Sequence, residues 1–122
     1  MIARAREQGA LGVVADQRLQ PTFTADLAQA ILDAVHAGVS GLLHLTATGA
    51  CSWHEFTAAI MQEAGIDVPI QATRTEIPDG GVDRPLNGVL ARPRADALGL
   101  SPLRHWREAL SDYMRRAGLA SA

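Results

Sequence analysis

Gly9, Gly38, Gly65 and Gly99 each stand where a stretch with helical periodicity stops. Glycine enters the left-handed backbone region at little steric cost, so it is the usual residue just past a helix end. Soon after each of the first three, a short apolar run begins, at 11–15, 41–47 and 68–73. Runs of that length suit strands, and helix followed by strand is the rhythm of an α/β fold. This punctuation predicts one α/β domain over residues 1–122, with four to five helices and a few short strands, because nothing repeats and no linker divides the chain.

Local signals fill in the elements. Residues 2–8 read as the end of a helix. Thr24 is placed to cap the next one, with Asp26 in its first turn, where the helix dipole favours an anion. Leu27, Ile31 and Val35 then recur at i, i+4 and i+8 beside Ala30 and Ala34, one apolar stripe expected to face a core. The run at 41–47, GLLHLTA, is apolar almost throughout, which predicts a strand covered on both faces. Ser52 and Glu55 have the spacing of a capping box, opening a helix whose expected buried face is Trp53, Phe56, Ile60 and Ala64. Two prolines, a glycine pair and three acids make 75–85 a loop. A short helix is predicted at 93–99. Ser101 and Pro102 predict the cap and first turn of a last helix, with Leu103, Trp106, Leu110, Tyr113 and Ala117 on its apolar side.

Composition excludes several function classes. A formal net charge of −2 and a pI near 6.0 leave no basic field for nucleic acid or an anionic membrane. Apolar runs such as 58–61 are far too short to span a bilayer, and no apolar segment follows Arg4 and Arg6 as a signal peptide requires. Cys51 is alone, so no intrachain disulfide or thiolate cluster is expected, and the expected compartment is cytoplasmic, with Cys51 as a small core residue. All 11 basic residues are arginine. Without lysine there is no Schiff base, no P-loop lysine and no Tyr/Lys acid–base pair.

No catalytic constellation emerges. His36, His44, His54 and His105 are scattered, with no His-x-x-x-His spacing and no Cys partner, so no metal site is expected. His44 reads as a packing residue, and His54 and His105 as solvated or capping positions at helix starts. There is no Gly-x-Ser-x-Gly elbow and no Gly-x-Gly-x-x-Gly turn, and Asp79 with Asp83 reads as a solvated turn. What remains are polar residues at element ends: Asp16, Gln17, Thr22, Arg84 and Asn87. They are candidates for gripping phosphate or hydroxyl groups. Arg84 stands out because guanidinium matches phosphate geometry bidentately, and pairing with Asp83 or Asp79 is the alternative use of it.

Four phrases together resemble one family. VVADQRLQPTFTADLAQAI is similar to the "VV-x-D-Q-x-x-x-P-T-x-x-x-D-L-A" segment of dTDP-4-dehydrorhamnose reductases. GLLHLTATGACSWHEFTAAIMQEAG resembles their "G-x-Y-H-x-x-x-x-G-x-x-S-W-x-x-F-A" segment. DRPLNGVLARPRADALGL and HWREALSDYM resemble "R-P-x-N-S-x-L" with its trailing "L-G", and the closing "W-x-x-A-L". In order, they cover residues 5–114.

The resemblance implies the C-terminal, substrate-binding portion of an extended short-chain dehydrogenase/reductase. In that family, the N-terminal Rossmann portion binds NADPH (or NADH) through a glycine-rich turn. A Tyr-x-x-x-Lys pair there protonates the ketone of a dTDP-sugar as hydride arrives. Here Tyr113 is followed four residues later by Ala117, so neither a cofactor site nor a catalytic pair is expected in this chain. The implied partner is a nucleotide-sugar, with Gln17, Thr22, Arg84 and Asn87 as its substrate-binding residues. Arg18-Leu19, Leu43 before His44 and Gly88 depart from the family pattern and leave the nucleotide and sugar open. Two alternatives stand beside this. One is a non-catalytic regulatory or interaction subunit, like the methionine adenosyltransferase β-subunit relatives; the other is part of a different nucleotide-sugar reductase or epimerase. If the Rossmann strands are missing, the helix at 24–37 and the strand at 41–47 lose their neighbours, and self-association is expected.

Overall fold

The capping box forms as its spacing predicts. In the computed structural model, which describes residues 1–76, 81–82 and 84–121, the Ser52 hydroxyl accepts from the Glu55 amide at 3.1 Å. The Glu55 carboxylate accepts in return from the Ser52 amide at 2.6 Å. Two of the donors that a helix start leaves without partners are thereby satisfied. The chain passes straight from a short strand into the helix at this point.

The elements in order are α1 (Ile2–Gln8), β1 (Leu11–Val14), β2 (Arg18–Leu19), α2 (Thr24–His36), β3 (Ala47–Thr48) and β4 (Cys51–Ser52). They continue with α3 (Trp53–Glu63), β5 (Ile70–Thr73), α4 (Pro93–Ala97), β6 (Leu103–His105) and α5 (Trp106–Arg116). Five helices and a few short strands make the α/β architecture that the helix–strand rhythm predicts. Among the described residues the strands form three pairs: β1 with β5 and β3 with β6, both parallel, and β2 with β4, antiparallel. Gly9, Gly38, Gly65 and Gly99 all have positive φ, as the punctuation requires.

Helix α3 lies between two apolar clusters. On one side Ala59 packs with Ala47, Cys51, Trp106, Leu110 and Met114. On the other, Met61 packs with Ala5 and Leu11 under α1 and β1. Burying a side chain of the size of Met114 or Leu110 contributes about 1.5–3 kcal/mol. Phe56, half-buried, stands edge-on to Trp106 with ring centroids 5.9 Å apart.

A charged junction joins α2, β6 and α5. Arg104 on β6 donates to Asp26 at 2.7 and 2.9 Å and to Asp112 at 2.7 Å. This two-oxygen grip on Asp26 fixes the helix start through a planar fork. Asp112 also accepts from Arg116 at 3.0 Å.

Long-range contacts overrule several local expectations. Residues 41–46 form no strand: among the described residues none pairs with them, and Leu42 is 78% exposed. The Ser40 and Leu42 carbonyls accept from the Arg94 guanidinium. Only Ala47–Thr48 joins a ladder. His44 is accordingly exposed, its Nδ1 3.2 Å from the Ala91 carbonyl. Thr24 is the first helical residue and not the cap; Phe23, extended, precedes it. That residue is held by its ring, edge-on to Tyr113 and flanked by the Arg104 and Arg116 guanidiniums.

The apolar stripe of α2 is largely bare. Ala34 is buried, but Ile31 and Val35 are exposed, as is Leu32. The last helix begins at Trp106 and not after Ser101, because Leu103–His105 is drawn into pairing with β3. His105 caps it, its Nδ1 accepting from the Arg107 amide. The expected faces of α3 and α5 hold in part, since Trp106 and Leu110 are buried and Phe56, Ile60 and Ala64 pack against the same core. Thr57, Ala59 and Met61 are buried where Trp53 is exposed, and Ala109 and Met114 are buried where Tyr113 is exposed.

Gly49 shows why one turn accepts no side chain. Its φ is +76°, and a Cβ there would lie 2.2 Å from the His105 ring nitrogen. The β3–β4 turn and the α5 cap are therefore packed directly on one another.

The junction at Asp112 carries an acid dependence. Hydrogen bonds from Arg116 and then Arg104 hold its carboxyl down at about 2, below the ordinary 3.8. A carboxyl depressed in the folded state binds protons first in the unfolded chain. Its contribution is then full above the ordinary value and is lost as pH falls through about 2. Unfolding free energy, measured by urea titration, is expected to fall from about pH 4 downward. Asp112→Asn is expected to flatten that fall; an unchanged slope would contradict the assignment.

Candidate functional site

Strand β1 ends where its polar loop begins, and that loop is held from two sides. The Asp16 carboxylate accepts from the Thr75 amide at 2.9 and 3.1 Å and from the Thr75 hydroxyl at 2.7 Å. These bonds, the amide first and the hydroxyl second, hold its carboxyl below the ordinary carboxylate value. Gln17 Nε2 donates to the same Thr75 oxygen at 3.0 Å. Beyond it, the Arg18 amide donates to the Leu86 carbonyl at 2.8 Å, and the Gly88 amide donates to the Arg18 carbonyl at 2.9 Å. Residues 86–88 are thus laid against Arg18.

This brings together two of the four expected substrate-binding residues. Gln17 and Arg84 line one cavity of about 520 Å³, open over β1. Arg4 of α1 and Trp53, the first residue of α3, line it too. Sequence reasoning missed both, because the stacking of α1 and α3 around β1 leaves no local signal. Thr22 lies elsewhere, on a cavity of about 240 Å³ walled by Phe23, Phe56, Trp106 and Tyr113. Its hydroxyl is committed to the fold, donating to the Gln20 carbonyl at 3.0 Å and accepting from the Ala47 amide at 3.1 Å. Asn87 makes an Asx turn, its side-chain oxygen accepting from the Val89 amide at 3.1 Å. The proposed Arg84 pairing with Asp79 or Asp83 involves acids outside the described residues.

Other candidate chemistries find little geometry. Among the described residues, no three His, Cys, Asp or Glu side chains are grouped to hold a metal ion. His54 is spent on the Ile70 carbonyl at 3.1 Å. Cys51 is buried, as a core residue would be. Burial, and then the nearby Glu55 carboxylate, push its thiol up to about 11. Among the described residues, no helix is long and apolar enough to cross a membrane.

A family described as the RmlD substrate binding domain matches residues 1–118. The chain belongs to that family. It is 38% identical over 120 residues to the spore coat polysaccharide biosynthesis protein SpsK of Bacillus subtilis, covering 98% of this chain and 42% of that protein. It is 40% identical over 109 residues to the dTDP-4-dehydrorhamnose reductase of Mycolicibacterium smegmatis, covering 85% of this chain and 32% of that enzyme. The fold is shared with the dTDP-4-dehydrorhamnose reductase crystal structure from Clostridium acetobutylicum, at TM-score 0.87 and 30% identity, covering 96% of this chain and 42% of that one. The Bacillus anthracis reductase, solved in complex with NADP, matches at TM-score 0.86 and 30% identity, over 94% of this chain and 41% of that one. The chain therefore spans less than half the length of these relatives.

The described residues do not fit a nicotinamide dinucleotide. A dinucleotide cradle runs from a strand through a glycine-rich turn into an open helix N-terminus. Here β1 leads into β2 and not into a helix. At the junction of β4 with α3, the position an anion would take is filled by the chain's own Glu55 carboxylate.

The state of Cys51 gives a direct check on this account of the core. At pH 8, a thiol reagent is expected to leave the native protein unmodified and to label it fully after denaturation. Rapid labelling of the native protein would contradict the buried, protonated thiol.

Proposed function

We propose that this chain is the substrate-binding portion of a dTDP-4-dehydrorhamnose reductase-like protein of dTDP-L-rhamnose biosynthesis, acting in the cytoplasm. The observation that carries this proposal is the convergence of Gln17 and Arg84 on one cavity, in a chain matched over residues 1–118 by a substrate-binding family. Arg84 would meet the diphosphate of a nucleotide-sugar, since a guanidinium offers paired donors and a permanent charge. Gln17 would meet a neutral polar group of the same ligand. Thr22 and Asn87, whose side chains are spent on the backbone away from this cavity, would leave the contacts to the other two.

Reduction itself belongs to a longer protein on this proposal. NADPH, hydride transfer and the Tyr/Lys pair would come from a cofactor-binding portion. The bare face of α2, with Ile31, Leu32 and Val35 exposed, together with Leu42, is where that portion would pack. In its absence a second copy of the chain would cover the same face. The same exposed face suits an interaction subunit, the alternative role, which requires no dTDP-sugar binding at all.

Calorimetry with dTDP, UDP and GDP separates these roles. Binding is expected to be strongest for dTDP, and Arg84→Ala is expected to weaken it at least tenfold, the scale of a lost charge-assisted hydrogen bond. Affinity unchanged by Arg84→Ala would remove Arg84 from the site. Absence of binding to all three nucleotides would favour the interaction role.

A further inference from the structure

The hydrogen bonds around Thr75 determine which way the Gln17 amide faces. The Thr75 hydroxyl has one proton, and the Asp16 carboxylate, 2.7 Å away, can only accept it. The Thr75 oxygen can then act toward Gln17 solely as an acceptor. The Gln17 atom 3.0 Å from it must therefore be the amide nitrogen, so the amide orientation follows from the network and not from the side chain alone. The depressed carboxyl of Asp16 keeps that end of the chain of bonds ionised. Its two contacts to the Thr75 amide keep the carboxylate in place. Among the described residues, no donor reaches the Gln17 side-chain oxygen.

We infer that Asp16 and Thr75 are positioning residues that fix Gln17 with its carbonyl oxygen available as an acceptor at the cavity, selecting a ligand that presents a neutral N–H or O–H donor there. This inference rests on the nucleotide-sugar reading of the cavity and specifies what one of its walls recognises. A free glutamine rotates its amide to suit either a donor or an acceptor. A glutamine held by this relay does not, because flipping it would set its oxygen against the lone pairs of Thr75. The cavity thereby combines a permanent cation, Arg84, with a directional neutral acceptor, Gln17. A hexose hydroxyl and the imide N–H of a thymine both supply the required donor.

The test uses the whole chain and four variants, each checked for folding by thermal melting. Affinity for dTDP and for dTDP-glucose is measured by calorimetry, and the Gln17 side-chain amide is followed by nuclear magnetic resonance without ligand. Thr75→Val, which keeps the shape and removes the hydroxyl, is expected to weaken binding by about tenfold. Thr75→Ser is expected to restore it, and Asp16→Asn is expected to resemble Thr75→Val. Gln17→Leu is expected to remove the contact. If that loss is confined to dTDP-glucose, the donor is a sugar hydroxyl; if it is equal for dTDP, the donor is the base. In the free protein, one Gln17 amide proton is expected to show a hydrogen-bonded shift that Thr75→Val abolishes and Thr75→Ser retains. Wild-type affinity in folded Thr75→Val, or a Gln17 amide with no such shift, would overturn the relay. If the shift is present but neither nucleotide binds, the orientation stands, and both the nucleotide-sugar reading and the selection drawn from it fail.

Discussion

Helix α3 is the part on which the rest of this fold depends. Its residues enter both apolar clusters: Ala59 on the side of α5, Met61 on the side of α1 and β1. The capping box fixes where it starts, and that start places Trp53 at the rim of the cavity over β1. A helix packed on two sides cannot be rotated without opening one cluster or overfilling the other. The register of β1 is set by its pairing with β5, from Leu11 with Ile70 to Val14 with Thr73, and Met61 of α3 packs on Leu11 of that strand.

The site is assembled by backbone pairing more than by any motif. Arg18 holds Leu86 and Gly88 by main-chain hydrogen bonds, which sets Arg84 beside Gln17 at the cavity. Asp16 and Thr75 then brace the loop from the β5 side. A permanent cation and a neutral amide at the end of a braced strand suit recognition of a polar, anionic ligand. They supply no nucleophile, acid–base pair or electron carrier. On the proposed function, binding and chemistry would be separated along a longer protein; the chain spans less than half the length of the relatives it matches.

Much of the fold was legible in the sequence where the signal was local. The capping box, the glycine helix ends and the strand at 11–15 were read from a few adjacent residues each. The failures occur where distant contacts decide. Ser101 and Pro102 carry good cap chemistry, yet pairing with Ala47–Thr48 claims the residues after them. GLLHLTA has the composition of a buried strand, but a strand needs a ladder partner, and none pairs with 41–46 among the described residues. Ile31 and Val35 have the right period for a buried stripe and remain exposed; a period locates an apolar face without supplying what covers it. Of the expected contacts, Gln17 and Arg84 were legible as polar residues beside turns. Thr22 and Asn87 shared that signature, and only the structure shows their side chains spent on the backbone.

The central claim is that this chain recognises a nucleotide-sugar but performs reduction only when joined to a cofactor-binding portion. The most direct measurement is NADPH oxidation with dTDP-4-dehydrorhamnose, by the chain alone and by a chimera. In the chimera, the chain replaces the matching segment of the Mycolicibacterium smegmatis reductase. The account predicts no turnover by the chain and restored turnover by the chimera. Turnover by the chain alone, or a folded chimera that binds NADPH yet reduces nothing, would contradict it.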